Sequence, residues 1–413
     1  MQIYDVAIIG AGPAGIMAAL QAVKHNKTVV LIERNHCIGK KLLLTGKGRC
    51  NLTNSASIDA FIEKFGKKGR FLRTAFHSFF NRELIDFFES RGLKLKTERQ
   101  GRVFPANDEA QSVVNCLLKA LMDSKVKILY NTRIIGLVVE KTQLRLQTAD
   151  KKDLQAKKVI LATGGASYKA TGSTGDGFDI AKKLGHAIAQ LDPALVPLAT
   201  HEKWVKKLQG LSLKNVKIAF PCGAKNIASP IGEMMFTHFG VSGPLVLDLS
   251  GDIMPLLAEH KKIPLLIDLK PGLTKEQLDQ RLLNDFSAEG NVKLKSIMKD
   301  LLPQKLIPVF LGLCELSGED IANQTRRDQR RKIIDTLKAM PLTITGALPL
   351  EEAMVTAGGV STKDINPRTM ESKITPNLYF AGEAIEGCAS SGGYNLQQAF
   401  STGYLAGESA ANA

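Results

Sequence analysis

Apolar and polar positions along this chain fall into blocks whose period changes from stretch to stretch. Residues 4–9 form an apolar run interrupted only by Asp5, close to the pattern of a strand covered on both faces. Glycines follow at 10, 12 and 15, then small and apolar residues over 16–23 at helical spacing, then a second apolar run, 28–32, that ends at Glu33. This predicts a β-turn-α-β unit. Residues 39–54 show neither period, and a loop of that length in a compact domain is usually functional. Residues 58–92 read as helices whose phenylalanines pack inward, with Lys64, Lys67, Lys68, Arg70 and Arg73 on the outer face. A short strand at 102–105 and an amphipathic helix at 111–124 come next. The segments 126–130, 134–140 and 143–149 alternate like antiparallel strands. A buried strand from residue 158 ends in Thr163-Gly164-Gly165.

The texture changes near residue 191. Residues 191–345 hold short alternating runs (213–220, 263–269) and then helical stretches at 275–286, 293–301, 304–312, 319–323 and 326–339. Thr274 with Gln277 fits a capping box. The earlier pattern then resumes with a buried strand at 377–383 and a last helix opened by Gly392 and Gly393. The fold class is therefore α/β. A discontinuous nucleotide domain (1–190 with 346–413) is expected to be interrupted by an inserted substrate or cap domain (191–345).

The opening unit carries chemistry. Gly10 permits a tight turn, Gly12 lets the backbone approach a pyrophosphate, and Gly15 lets the helix lie close on the strand. The helix N-terminus faces the phosphate charge. Glu33 is placed to accept both ribose hydroxyls and would repel a 2′-phosphate, so FAD or NAD fits and NADP does not. Late in the chain, the Gly392-Gly393 helix start offers amides and a positive dipole end to the flavin edge where negative charge gathers on reduction. The plainer reading of that dipeptide is a tight turn.

Charge changes the picture further. The chain of 413 residues carries a net charge of +15, and the stretch between Lys40 and Arg102 holds 15 basic residues against 6 acidic ones. Either this is an inert basic surface or it meets a polyanionic partner. The six cysteines are scattered without a CxxC pair, which argues against a disulfide framework or metal site and for a reducing cytoplasm. No apolar stretch is long enough to span a bilayer, and the first apolar segment is a strand with no basic region before it, so neither a membrane nor a signal peptide is expected.

With both ends read, the chain resembles the BaiN-like flavoproteins, also known as the aminoacetone oxidase family. The likeness rests on GAGPAG (10–15), KLLLTGKGRCNLTN (41–54), ATGG (162–165), TGSTGDGFDIAKKLGH (171–186), FTHFGVSGP (236–244), TAGGV (356–360), LYFAGE (378–383) and GGYN (392–395). It implies a Rossmann-like FAD domain of the two-dinucleotide-fold type, interrupted by an inserted β-barrel plus helical domain. It also implies FAD and oxidoreductase chemistry. Members are linked to amine oxidation, to reduction of unsaturated bile-acid intermediates and to dihydrouridine formation in ribosomal RNA. On the matching motifs, the expected cofactor contacts are Gly10, Gly12, Pro13, Ala14 and Gly15 in the first turn, with Glu33 and Arg34 after the second strand. The long loop adds Lys41, Thr45, Gly46, Arg49, Cys50 and Asn51, and the returning strand adds Thr163 and Gly164. Gly382, Glu383, Gly392, Gly393, Tyr394 and Asn395 complete the set. One stretch departs from the pattern: where relatives carry a Leu-Asp-Val-Asp-Gly-like sequence, this chain has Ile385-Glu386-Gly387-Cys388-Ala389, which replaces the second acid by a thiol.

A flavin moves two electrons as hydride at N5 while the protein supplies position and proton transfer. A reductase of a carbon–carbon double bond needs a general acid opposite that hydride. Cys388, Tyr394 and His238 are the candidates, against the plainer readings of an inert cysteine and a structural histidine. Arg49 and Lys47 either hold the flavin or substrate, or Arg49 ties the long loop to the domain. No second nucleotide fingerprint is present, so NADH or NADPH would dock only transiently as electron donor, or the substrate itself would reduce the flavin. Two functions fit: an FAD reductase acting on a uridine of ribosomal RNA through the basic stretch, and a small-molecule flavin oxidase or ene-reductase acting on an aminoacetone-type amine or an unsaturated steroid-like substrate.

Overall fold

The computed structural model describes residues 2–222, 225–288 and 291–413, with the backbone alone for residues 225 and 288. The chain forms two compact units, Met1–Ala194 with Pro349–Ala413, and Leu195–Leu348.

The first unit is built on a seven-stranded sheet. Its centre is the strand Ile3–Ile9, in which Val6, Ala7 and Ile8 are all but completely covered. A strand buried on both faces has no polar side to present, hence the apolar run Val6–Ile9, while Asp5 near its start stays partly exposed. It pairs in parallel with Val29–Ile32 on one side and Leu154–Leu161 on the other. Lys127–Leu129 pairs in parallel with Val29–Ile32 and forms an edge of this sheet. That corrects the antiparallel reading of 126–130: three alternating residues specify a strand but not its partner. The hairpin Ile134–Val139 with Leu144–Thr148 is antiparallel, and it shares the far edge of Leu154–Leu161 with Leu378–Phe380. The C-terminal strand thus returns to the same sheet, two places from the first.

Two helices lie against each other on this sheet, Pro13–Ala22 and Tyr394–Asn412. Their approach depends on missing side chains. A Cβ at Gly403 would stand 2.2 Å from the Ala14 carbonyl oxygen, and one at Gly407 would stand 2.3 Å from that of Ala18. The small residues at the end of the chain are there for this contact.

Residues 58–92 form short helices, Ile58–Lys64, Arg73–Ser78 and Asn81–Glu89, with a 3-10 stretch at Gly66–Leu72. Phe61 and Phe76 are fully buried and meet edge to face at 5.6 Å. Phe61 also meets Tyr394 at 4.6 Å. The aromatics are core, and their core joins this segment to the start of the last helix.

In the second unit, strand pairing runs round a closed circuit of six strands, because Ile263–Asp268 pairs with both Met340–Ala347 and Ser212–Cys222. Thr274 and Gln277 form the capping box, with reciprocal bonds of 2.9 and 3.2 Å. The helix Pro244–His260 is a feature that the sequence pattern did not reveal. Pro255 in its interior argues against a helix of that length, and tertiary packing overrides the objection. Among the described residues, no helix is long and apolar enough to cross a membrane.

Candidate active site

The first unit gathers most of the motif residues at one end of its parallel strands. The three glycines of the first turn do different work there. A Cβ at Gly10 (φ +104°) would lie 2.4 Å from the Ala162 carbonyl oxygen, and one at Gly15 would lie 1.8 Å from that of Gly10. Backbone packing alone forbids side chains at both. Around Gly12 there is open space: a Cβ at that position would have no heavy atom within 4 Å. Pro13 opens the helix, and the first turn has neither a side-chain cap nor an acidic residue. Its amides and dipole are open to an anion, so the cradle fits a pyrophosphate.

Glu33 is buried at the end of the second strand. Its Oε2 accepts from the Ala11 amide (2.8 Å), and its Oε1 accepts from the amide and the side chain of Asn35 (2.8 Å each). A carboxylate held in this way is preorganised for ribose hydroxyls. Arg34 turns aside and bonds Thr174 (2.6 Å) and Asp176 (3.2 Å). Asp176 is clasped again by Arg133. Asn35 and Arg133 were missed by sequence reasoning, and the motif at 171–186 showed Asp176 without its partners, since nothing but the fold brings residues 133 and 176 to residue 34.

A second cluster joins three motifs. Lys41 Nζ donates to Glu383 (2.9 Å) and to Ser167 Oγ (2.8 Å). The Glu383 carboxylate also accepts from the Thr356 amide (2.8 Å), and Thr356 Oγ1 accepts from the Ala166 amide (2.9 Å). Gly382 donates to Thr402 of the last helix (2.9 Å). Ser167 and Thr356 lie within or beside ATGG and TAGGV, so their motifs were visible while their partners were not. The Thr163 hydroxyl is buried without a hydrogen-bond partner, and Gly164 takes the left-handed conformation (φ +73°).

The long loop closes on the Gly-Gly helix start. Asn51, with its amide oxygen turned toward Gly393, accepts from the Gly393 amide (3.0 Å) and donates to Thr53 and Val103. Asn54 donates to the Gly392 carbonyl (3.1 Å), and Thr53 Oγ1 donates to Gln397 (2.6 Å). A Cβ at Gly393 would meet the Thr53 carbonyl oxygen at 2.3 Å. Thr45 bonds the Leu42 carbonyl, and a Cβ at Gly46 would crowd the Asn51 amide at 3.0 Å. Arg49 is taken up by Glu98 and Asp108 and stacks on Phe104 at 4.0 Å. Of its two readings, the geometry supports tying the loop down. Cys50 is corrected outright: protein atoms alone bury it completely, so it has no surface for a cofactor to touch. Burial pushes its thiol up to about 12.

Of the three proton-donor candidates, Cys388 and Tyr394 belong to the first unit and His238 to the second. Cys388 lies in the loop between Glu383 and Gly392. Its thiol is pushed up to about 11 by burial and then by the negative charge of Glu383. It therefore stays protonated at neutral pH, the state a general acid needs. Asn395 clamps the loop by accepting from the Ala389 amide (2.8 Å) and donating to the Ala389 carbonyl (2.9 Å). Tyr394 is largely buried against Phe61, with Lys64 Nζ 5.8 Å from its ring centre. His238 belongs to the second unit, is exposed and packs on Phe239.

Lys68 corrects the outer-face assignment. It turns inward to Glu386 at 2.6 Å. Arg73 pairs with Asp59 at 3.0 Å, while Lys67 and Arg70 are exposed and make no ion pair among the described residues.

A family model described as HI0933-like protein Rossmann domain matches residues 4–409. A 3-dehydro-bile acid delta(4,6)-reductase from Clostridium scindens is 35% identical over 408 residues, which cover 98% of either chain. A ribosomal RNA dihydrouridine synthase from Haemophilus influenzae is 31% identical and covers 96% of either chain. The Escherichia coli protein of the same name is 29% identical over 98% of this chain and 97% of its own. Among solved structures, the open conformation of a flavocytochrome c3 fumarate reductase aligns with a TM-score of 0.54 at 17% identity, over 100% of this chain and 78% of that one. A 3-ketosteroid delta1-dehydrogenase from Sterolibacterium denitrificans aligns at 0.56 and 12% identity over the whole of both chains. At these identities the structural likeness speaks for the fold alone.

Proposed function

This chain belongs to the HI0933-like Rossmann-domain family and is an FAD-dependent oxidoreductase, and from that premise we propose that it reduces a carbon–carbon double bond conjugated to a carbonyl, with a uridine of ribosomal RNA as the substrate. The two kinds of relative differ in substrate but share this chemistry, since a delta(4,6) unsaturation beside a 3-oxo group and the C5=C6 bond of uridine are both polarised by a carbonyl.

The residues divide the work as follows. The first turn, Glu33 and the Gly392-Gly393 helix start would hold FAD, which once reduced would supply hydride. The Cys388 thiol gives its proton to the carbon beside the carbonyl as hydride reaches the far carbon, so the substrate gains two hydrogens. The thiolate then recovers a proton from water. The Lys41–Glu383 pair holds the loop's upstream end, and the last helix puts the positive end of its dipole at Gly393. Reducing equivalents come from a nicotinamide, NADH or NADPH, that docks transiently.

One observation favours RNA over a small molecule. The basic segment at 58–73 packs directly on the loop that carries Cys388, through the Phe61–Tyr394 contact and the Lys68–Glu386 pair. Cations free to meet phosphate thus adjoin the proton donor. The test is mass analysis of ribosomal RNA from a strain lacking the gene. One uridine should lose the two-hydrogen mass gain and regain it with the gene restored. An unchanged RNA would sink the RNA reading. The second reading, an unsaturated 3-oxo steroid-like substrate, draws on the 35% identity to the bile-acid reductase, and would then lead if the purified enzyme reduced such an enone.

A further inference from the structure

The loop at 385–391 has an unusual set of anchors. Downstream of Cys388, Asn395 holds Ala389 by both its amide and its carbonyl. Upstream, the Glu386 amide donates to the Val360 carbonyl (2.9 Å). Its carboxylate accepts from Lys68 (2.6 Å) and, at 3.4 Å, from the Thr362 amide. Gly387 and Cys388, between these anchors, make no hydrogen bond of their own among the described residues. The position of the thiol is therefore set from either side.

We infer that the Lys68–Glu386 ion pair is a clasp that positions the Cys388 thiol and ties that position to the basic surface at 67–70. The inference rests on the reading of Cys388 as proton donor. Lys68 and Glu386 act here as positioning residues.

Three features support it. First, the pair spans two segments more than 300 residues apart in the chain, so it is the fold that brings a lysine of the basic segment to this loop. Second, the side chain of Glu386 is only 16% exposed, so solvent screens the contact less than it screens a surface pair. Third, Lys68 covers Gly387 closely: a Cβ at Gly387 (φ +123°) would stand 3.2 Å from that of Lys68. The neighbours of Lys68 in the same 3-10 stretch, Lys67 and Arg70, face solvent without carboxylate partners. An anion that docks on these two cations presses on the segment whose third cation holds the loop.

The test is alkylation of the FAD-loaded enzyme with iodoacetamide at pH 8, read peptide by peptide. Glu386→Gln keeps the shape and removes the charge, which frees the loop. A freed loop lets water reach the thiol and relieves the burial that holds it protonated, so its reactivity rises. Cys388 should react about tenfold faster, the change that one unit of thiol pKa makes in the thiolate fraction. Cys50 and Cys314, both buried, report on global unfolding and should stay unreacted. The exchange of Lys68→Glu with Glu386→Lys should restore the slow rate. An unchanged Cys388 rate in Glu386→Gln overturns the clasp. So does a parallel rise at Cys50 and Cys314, which would mean general destabilisation, or a charge exchange that restores nothing. Should Glu386→Gln not fold, Glu386→Asp, one methylene short of Lys68, is read in the same way. None of these rates depends on a substrate, so failure of the uridine reading would leave them standing and would show instead in the ribosomal RNA.

Discussion

The turn at 10–15 and the loop at 385–395 are built by opposite means. In the turn, backbone does nearly everything: Gly10 and Gly15 are held within van der Waals limits of neighbouring carbonyls, and Gly12 faces open space. In the loop, side chains from remote segments do it: Asn395 grips Ala389, Lys68 grips Glu386, and Asn51 and Asn54 reach the two glycines. A site made of backbone tolerates almost no substitution and leaves a rigid spacing in the sequence. One made of side chains can be rebuilt piece by piece, as the thiol at residue 388 illustrates.

The sharpest way to break this comparison is in the turn. Gly15→Ala should cost about 3 kcal/mol or more, because its Cβ would overlap the Gly10 carbonyl and the helix must move off the strand. Gly12→Ala meets no atom of the protein, so the apo form should melt within about 0.5 kcal/mol of the native chain. It should nonetheless lose flavin, because its methyl group projects into the cradle. Thermal unfolding and flavin absorbance measured side by side separate the two. Equal melting losses would mean that Gly12 is structural like its neighbours.

In the loop the largest effect belongs to Cys388. Cys388→Ala should bind and reduce flavin normally but slow its reoxidation by substrate about 100-fold, or about 2.7 kcal/mol. With the native thiol, the single-turnover rate should be flat through neutral pH and fall only as pH nears the thiol value of about 11, because the donor must be protonated. A fall centred near pH 7 would point to another acid.

The smallest effect tests how far the side-chain site extends. Lys67→Glu with Arg70→Glu removes two unpaired cations. If each meets a phosphate, the slope of log affinity for RNA against log salt should become shallower by about 1.4, at roughly 0.7 per contact on a single strand. Flavin content should not change. A slope equal to that of the native chain would confine the substrate site to the loop and return the basic stretch to an inert surface.

Much of this was legible in the residues. The β-turn-α-β unit, Glu33, the returning ATGG strand and the late Gly-Glu and Gly-Gly motifs pointed to an FAD oxidoreductase of this family, and the comparisons bear that out. Those features are local: a turn that needs φ > 0, a helix that must lie within contact of a strand, and a strand covered on both faces each impose their own short pattern. Tertiary structure decided the rest. It set the parallel pairing of Lys127–Leu129, the long helix around Pro255, the burial of Cys50, the diversion of Arg49 to Glu98 and Asp108, and the inward turn of Lys68. Each depends on a partner far away in the chain, and a side chain's period along its own segment carries no information about which distant carboxylate, carbonyl or strand edge the fold will bring to it.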